Sequence, residues 1–145
     1  MVGALREDGS PALTPLPGIA DLQRLADRPH EGARIEVGRF GNLDDVTPTV
    51  GAAIYRIAQE SITNSVRHAR SPTSIDVRVD GDEDCIRLTV HDDGAPVSSV
   101  WSSTGYGVVG MTERAALLGG TLEAGPGPAG GWTVRAVLPR TARVR

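Results

Sequence analysis

The chain has 145 residues, about the usual size of one domain, and 39% of them are hydrophobic, which is enough for a core without disulfide or metal support. Its formal net charge of −3 argues against direct nucleic-acid binding, because nucleic-acid-binding surfaces carry an excess of basic residues. All 15 basic residues are arginine, which excludes a lysine-dependent phosphate loop and Schiff-base chemistry, and the lone Cys85 excludes a disulfide framework.

The apolar pattern predicts three helices and five strands after a tail or linker at residues 1–17, where glycine, proline and serine occur without periodicity. Helical spacing of apolar residues predicts helices at 18–27, 50–70 and 108–118. Alternation predicts strands at 33–40, 74–80, 85–92, 121–125 and 132–139. A glycine-rich loop is expected at 94–107, and the last four strands are expected to form two hairpins.

This order of elements predicts an α/β two-layer sandwich, in which one mixed β-sheet is covered on a single face by about three helices. The domain is expected to span residues 18–140, followed by a short tail at 141–145. Strands and helices do not alternate strictly, so a dinucleotide-binding Rossmann domain is not expected. The sequence has no apolar run of the roughly 18 residues that a membrane span needs, and we expect a cytoplasmic location.

The helix at 50–70 carries the first candidate site. Glu60, Asn64 and His68 are spaced four residues apart, along the border between the apolar and solvent-facing sides of the helix. A carboxylate and an amide oxygen one turn apart suit a hard cation such as Mg²⁺, although a plain surface row of polar residues has the same pattern. The apolar side is predicted to contain Ile54, Ala58, Ile62, Val66 and Ala69.

Two further segments have candidate binding residues. Asp92 ends a predicted strand, where a carboxylate can accept a hydrogen bond from an exocyclic amine, and Gly94 lets a planar ring approach the backbone. An ordinary Asp-Gly turn has the same residues. Gly105 and Gly107 lead into the helix that begins at Val108, and backbone N–H groups at a helix start can bind an anion. Each pattern by itself is weak.

Taken together, three runs resemble the ATP-binding catalytic domain of bacterial sensor histidine kinases: YRIAQESITNSVRHA, VHDDG and GYGVVGMTERAALLGGTLEAGPGPAGGWTVRAVLP. Within the GHKL ATPase superfamily, the chain is most similar to kinases that pair with helix-turn-helix response regulators, and the resemblance covers about residues 18–139. It implies the Bergerat fold, a mixed sheet against three helices, and it implies ATP and Mg²⁺ as ligands.

The resemblance also implies a role for each candidate residue. Glu60 matches the catalytic carboxylate that polarises the attacking group, Asn64 the Mg²⁺ ligand, and His68 a polar residue near the phosphates. Asp92 matches the aspartate that accepts the adenine amine, and Gly94 gives the ring room. The mobile lid over the phosphates would include Gly105 and Gly107 and lead into Val108.

The sequence departs from the family pattern at two positions. Pro96 replaces the second glycine of the aspartate motif, and it should stiffen the start of the lid. Trp132 stands where many relatives have a threonine next to the adenine pocket. Both changes bear on nucleotide affinity, and neither removes a ligand to metal or phosphate.

The expected phosphoacceptor histidine is missing, since His30, His68 and His91 all lack the family's acceptor context. The resemblance therefore implies a monomeric catalytic domain that acts on the dimerisation and phosphoacceptor domain of a parent kinase, which can be membrane-anchored, and signals to a cognate response regulator. Two alternatives stay open: an anti-sigma-type serine kinase and a non-catalytic nucleotide-binding interaction module. A linker-like segment at 15–28 and the G-M-x-E-R box favour the histidine kinase.

Overall fold

A five-stranded mixed sheet forms the centre of the fold in the computed structural model, which describes residues 16–28, 32–68, 72–94, 107–127 and 130–141, except the side chain of His68. The strands are β1 (Arg34–Gly41), β2 (Ser74–Gly81), β3 (Cys85–Asp92), β4 (Thr121–Pro126) and β5 (Trp132–Pro139). They lie in the order β1-β2-β3-β5-β4, with β1 and β2 parallel and the other neighbours antiparallel. The predicted mixed sheet and its two hairpins are confirmed.

Three helices complete the two-layer sandwich: α1 (Gln23–Asp27), α2 (Pro48–His68) and α3 (Val108–Leu117). The first predicted helix is shorter than expected, because a 3-10 turn at Ile19–Asp21 precedes α1. The Asp21 carboxylate tightens this turn by accepting a hydrogen bond from the Gly18 N–H at 2.8 Å. None of the helices that the structure describes has the length and hydropathy needed to cross a membrane.

The core lies between the sheet and α2. The helix-facing side chains of β2 and β3 alternate with exposed ones, as a half-buried sheet requires. They belong to one buried cluster with the side chains of α2, which includes Ile75, Val77, Val79, Ile86, Leu88, Val90, Ile54, Ile57 and Ala58. Burial of this apolar surface is the main favourable term in folding.

The prediction that Val66 faces the core is wrong, since 36% of its surface is exposed. The buried side of α2 is instead centred on a line through Ile54, Ser61 and Ser65, which at ~100° per residue leaves Val66 outside it. Both serines are buried, at 1% and 3% exposure. The sequence pattern counted them as polar, and this shifted the predicted apolar side away from its true centre. Ala69 lies outside the described residues.

Arg140 connects two loops at the end of the sheet where β3 begins. Its guanidinium donates to the carbonyl oxygens of Asn42 and Asp82, both at 2.7 Å, and to that of Asp44. The Arg140 N–H donates to the Asp84 carbonyl at 3.0 Å. One side chain therefore satisfies carbonyl groups from the β1–α2 connection and from the β2–β3 turn.

Candidate functional site

The candidate residues lie along α2, with Asp92 at the end of β3 beside Ser65 and Gly107 at the start of α3 beside Glu60. Asp92 is the innermost of them, with 1% of its surface exposed. Its Oδ2 accepts a hydrogen bond from the Ser65 hydroxyl at 2.8 Å, and its Oδ1 accepts one from the Gly94 N–H at 2.9 Å. Gly94 is also buried, so the structure brings the predicted pair Asp92 and Gly94 together.

Two residues of the β5 end enclose Asp92. Trp132 is 8% exposed and is the direct partner of Asp92 in the antiparallel β3–β5 pair, so both side chains lie on the same face of the sheet. Gly131 has a φ of +73°, and a Cβ added to it would lie 1.9 Å from the Asp92 carbonyl oxygen. Only glycine fits this approach. Gly131 was not predicted from the sequence, although its position after a glycine-rich hairpin loop could have indicated a close contact.

Asp93 connects the end of β3 to the start of β2 on the exposed side. Its carboxylate accepts hydrogen bonds from the backbone N–H groups of Thr73 and Ser74, at 2.8 Å and 3.0 Å, and from the Thr73 hydroxyl. The Thr73 hydroxyl, together with the two N–H groups, holds the pKa of Asp93 below its ordinary value of 3.8. These hydrogen bonds therefore hold the start of β2 beside Asp92, and the Asp93 side chain does not point into the site.

The other end of the site is formed by Glu60 and the start of α3. Glu60 is exposed, and Gly107 is the residue before the first turn of α3, with a φ of +76°. A Cβ added to Gly107 would lie 2.8 Å from Glu60 Oε1. The carboxylate thus lies at the helix N-terminus, where the helix dipole favours negative charge.

The remaining predicted residues fall between or beside these ends. Asn64 follows Glu60 by one turn and is 7% exposed. His68 is the last residue of α2. Val108 is 5% exposed and belongs to the hydrophobic core, so it can offer a ligand only its backbone. Gly105, Pro96 and His30 lie outside the described residues.

A cavity of about 270 Å³ opens beside Glu60, and two arginines that were not predicted as site residues line it. Arg56 precedes Glu60 by one turn of α2, and Arg114 lies on α3. Both are exposed, and their guanidinium groups can bind anionic oxygens in a bidentate manner. The cavity is lined by Arg56, Glu60, Gly107, Gly110, Met111 and Arg114.

The donor set decides which metal the site could hold. Within the described part of the chain, no group of three or more histidine, cysteine, aspartate or glutamate side chains is arranged to bind a metal ion. The Asn64 amide oxygen is a hard ligand of the kind that Mg²⁺ accepts alongside phosphate and water oxygens. The residues therefore fit a Mg²⁺ ion whose ligands come mainly from phosphate and water oxygens. They do not fit a metal site formed by protein ligands alone.

Comparison with known proteins gives a consistent picture. Residues 49–142 match the family described as histidine kinase-, DNA gyrase B-, and HSP90-like ATPase. Over 118 residues, the chain is 32% identical to the sensor histidine kinase YxjM of Bacillus subtilis (strain 168), covering 81% of this chain and 27% of that protein. It is 30% identical over 115 residues to the sensor histidine kinase MctS of Rhizobium johnstonii, covering 77% and 24%. The chain thus spans about a quarter of the length of these relatives.

Solved structures share the fold. The blue-light activated histidine kinase of Erythrobacter litoralis EL346 superposes with a TM-score of 0.64 at 23% identity, over 85% of this chain and 42% of that one. The catalytic domain of the histidine kinase ThkA superposes with a TM-score of 0.54 at 15% identity, over 84% of each chain. At these identities the likeness shows the fold alone.

Proposed function

The chain belongs to the family of histidine kinase-, DNA gyrase B- and HSP90-like ATPases, and we propose that it is the ATP-binding catalytic domain of a sensor histidine kinase. The domain spans residues 18–140, flanked by tails. It transfers the γ-phosphoryl group of ATP to a histidine on a separate dimerisation and phosphoacceptor domain, from which a response regulator receives it. One observation supports the proposal above all: the buried carboxylate of Asp92 bonds to Ser65 of α2, and the exposed carboxylate of Glu60 lies on the same helix beside the start of α3.

Asp92 recognises the base. Among the described residues, each of its two oxygens accepts one hydrogen bond, and a carboxylate oxygen has a second lone pair that can accept from a ligand. The exocyclic amine of adenine supplies such a donor, whereas guanine presents a carbonyl oxygen at the same position. Gly94 has no side chain that could block the ring beside the carboxylate. The buried position of Asp92 supports this assignment, because a mismatch there leaves an acceptor facing an acceptor in a dry environment.

The triphosphate lies toward α3. The Asn64 amide oxygen would hold Mg²⁺, and the ion would supply positive charge that offsets the phosphate charge. We expect the N–H groups at the start of α3, from Gly107 and Val108, to bind the phosphates, and the roles of Gly105 and His68 near the phosphates stay predictions. The cavity arginines Arg56 and Arg114 supply positive charge at the γ-phosphate end, which supports placing that end beside Glu60.

Glu60 acts on the incoming histidine. A carboxylate that accepts the N–H of an imidazole orients the ring and leaves the lone pair of its other nitrogen directed outward. A protein promotes phosphoryl transfer mainly by positioning the reactants and stabilising charge. Orienting the acceptor histidine is therefore enough for Glu60 to contribute to the reaction. The exposure of Glu60 supports the assignment, because the acceptor must reach it from another domain.

Titration of the purified chain with ATP and with GTP, each in Mg²⁺ and in EDTA, tests the binding part of the proposal. We expect ATP to bind about tenfold or more tightly than GTP, since one unmade buried hydrogen bond costs on the order of 1–3 kcal/mol. We expect EDTA to weaken ATP binding. Equal affinities for ATP and GTP would remove Asp92 from base recognition, and equal affinities with and without Mg²⁺ would remove Asn64 from metal binding.

A further inference from the structure

Ser65 makes an unusual hydrogen bond for a serine inside a helix. Such a hydroxyl commonly bonds to the carbonyl four residues earlier in its own helix. Ser61 does so with the Ile57 carbonyl at 2.7 Å, and Thr63 with the Gln59 carbonyl at 3.0 Å. Ser65, on the same helix, instead donates across to Asp92 at 2.8 Å. Its hydroxyl is therefore directed by the carboxylate.

The bond is buried at both ends, because Ser65 is 3% exposed and Asp92 is 1% exposed. A hydrogen bond to a charged acceptor in such surroundings is stronger than one between neutral groups. The donors to the two carboxylate oxygens come from different elements, Ser65 from α2 and Gly94 from the segment after β3. They hold the carboxylate from two directions.

This arrangement fixes the plane of the carboxylate. The terminal torsion of an aspartate is broad and roughly two-fold, so one donor alone leaves the group free to rotate. With two donors, the free lone pairs point in set directions, and a ligand amine meets an acceptor already aimed at it. Pre-aimed acceptors discriminate more sharply than mobile ones, since a mobile group turns to reduce the mismatch with a wrong ligand.

We infer that Ser65 is a positioning residue for Asp92 and, through it, determines selectivity for adenine over guanine nucleotides. The inference rests on the proposed function, because it takes Asp92 as the residue that accepts the adenine amine. It assigns to the second buried serine of α2 a role that the first, Ser61, does not have.

The experiment compares the ratio of the dissociation constants for GTP and ATP in the wild-type chain, Ser65→Ala and Ser61→Ala. Ser61→Ala is the matched control, since it removes a buried hydroxyl of the same helix that bonds to the Ile57 carbonyl and contacts Met111 Sδ at 3.6 Å but does not bond to Asp92. We expect Ser65→Ala to lower the ratio by about threefold to tenfold, the effect of one buried hydrogen bond. We expect Ser61→Ala to leave the ratio unchanged.

Two further variants keep the result decisive. Ser65→Cys retains a weak donor of similar size, and we expect it to give an intermediate ratio even if Ser65→Ala folds poorly. In an Asp92→Asn background, Ser65→Ala should change the ratio no further, because the two residues act as a unit. Additive changes, or an unchanged ratio in Ser65→Ala and Ser65→Cys, overturn the inference.

The inference and the proposed function fail in different ways. If Asp92→Asn weakens ATP binding and Ser65→Ala leaves selectivity intact, the inference alone is wrong. If Asp92→Asn leaves ATP affinity at the wild-type value, base recognition by Asp92 is wrong and the inference falls with it. Circular dichroism of each variant shows that it remains folded.

Discussion

The Glu60 carboxylate lies against the backbone at Gly107, because a Cβ at this position would lie 2.8 Å from Glu60 Oε1. The contact joins α2 to the start of α3 and places a carboxylate among the free N–H groups of a helix N-terminus. The residue expected to act on the acceptor histidine thus touches the segment expected to close over the phosphates. A change at either residue should affect the other.

Gly107→Ala should destabilise the chain by about 1–3 kcal/mol, because alanine disfavours the φ of +76°, whereas the exposed Glu60 side chain can move away from the added methyl group at little cost. Thermal unfolding measures the loss. Gly110→Ala is the matched control in the next turn of the helix, where a Cβ would meet no atom within 4 Å. There alanine should leave stability unchanged or raise it by about 1 kcal/mol. Equal destabilisation by both substitutions would contradict the special backbone conformation of Gly107.

Substitutions at Glu60 and Asn64 should affect phosphoryl transfer and ATP binding differently. Glu60→Gln keeps the shape of an exposed side chain and removes its charge, so we expect a strong loss of phosphoryl transfer, about a hundredfold, with ATP affinity nearly unchanged. Asn64→Asp should lower ATP affinity and transfer together. Transfer rates and ATP dissociation constants, measured on the same preparations, distinguish the two. A large loss of ATP affinity in Glu60→Gln would count against its assignment to the acceptor.

Arg140 should matter for stability and not for nucleotide binding. The eight residues of β3 rise by about 3.3 Å each, so this end of the sheet lies roughly 23 Å from Asp92. Arg140→Ala removes the donor to three backbone carbonyls and should cost about 1–3 kcal/mol in the free energy of unfolding. Arg135→Ala, which changes an exposed arginine of β5, the strand that Arg140 follows, should cost less than about 0.5 kcal/mol. A parallel loss of ATP affinity in Arg140→Ala would show that the two ends are coupled.

Asp93 should contribute to acid sensitivity. Its pKa is below 3.8 in the folded chain, so the folded state binds its proton less readily than the unfolded state does. Its contribution to stability is therefore fully present above the unfolded value and is lost as the pH falls through the folded value. Chemical unfolding between neutral pH and pH 3 should show a shallower loss of stability for Asp93→Asn than for the wild type. Identical slopes would remove Asp93 from this role.

The sheet could be predicted from sequence because strict alternation in β2 and β3 reflects a half-buried surface with one apolar face. The helix-facing side of α2 was harder to predict. Its centre includes Ser61 and Ser65, whose hydroxyls satisfy their hydrogen bonds within the fold and so tolerate burial. A count of apolar residues treats such serines as solvent-facing.

The candidate site was also predicted only in part, because some of its residues are brought together by long-range contacts. Motif spacing singled out Glu60, Asn64 and Asp92, but it gave no sign of Ser65, Arg56 or Arg114 as site residues. Ser65 bonds to Asp92, which is 27 positions away, and the two arginines line one cavity only because α3 packs beside α2. Long-range contacts of this kind depend on tertiary packing, which local patterns do not specify.

Incubation of the chain with γ-labelled ATP and Mg²⁺, alone and with the dimerisation and phosphoacceptor domain of its parent kinase, tests the central claim most directly. We expect label on the acceptor domain, as a phosphohistidine that acid removes and alkali preserves, and no stable label on this chain. Stable label on the chain alone would contradict transfer to a separate domain. Acid-resistant label on a partner serine would instead indicate a serine kinase, and ATP binding without transfer to any acceptor would indicate a non-catalytic nucleotide-binding module.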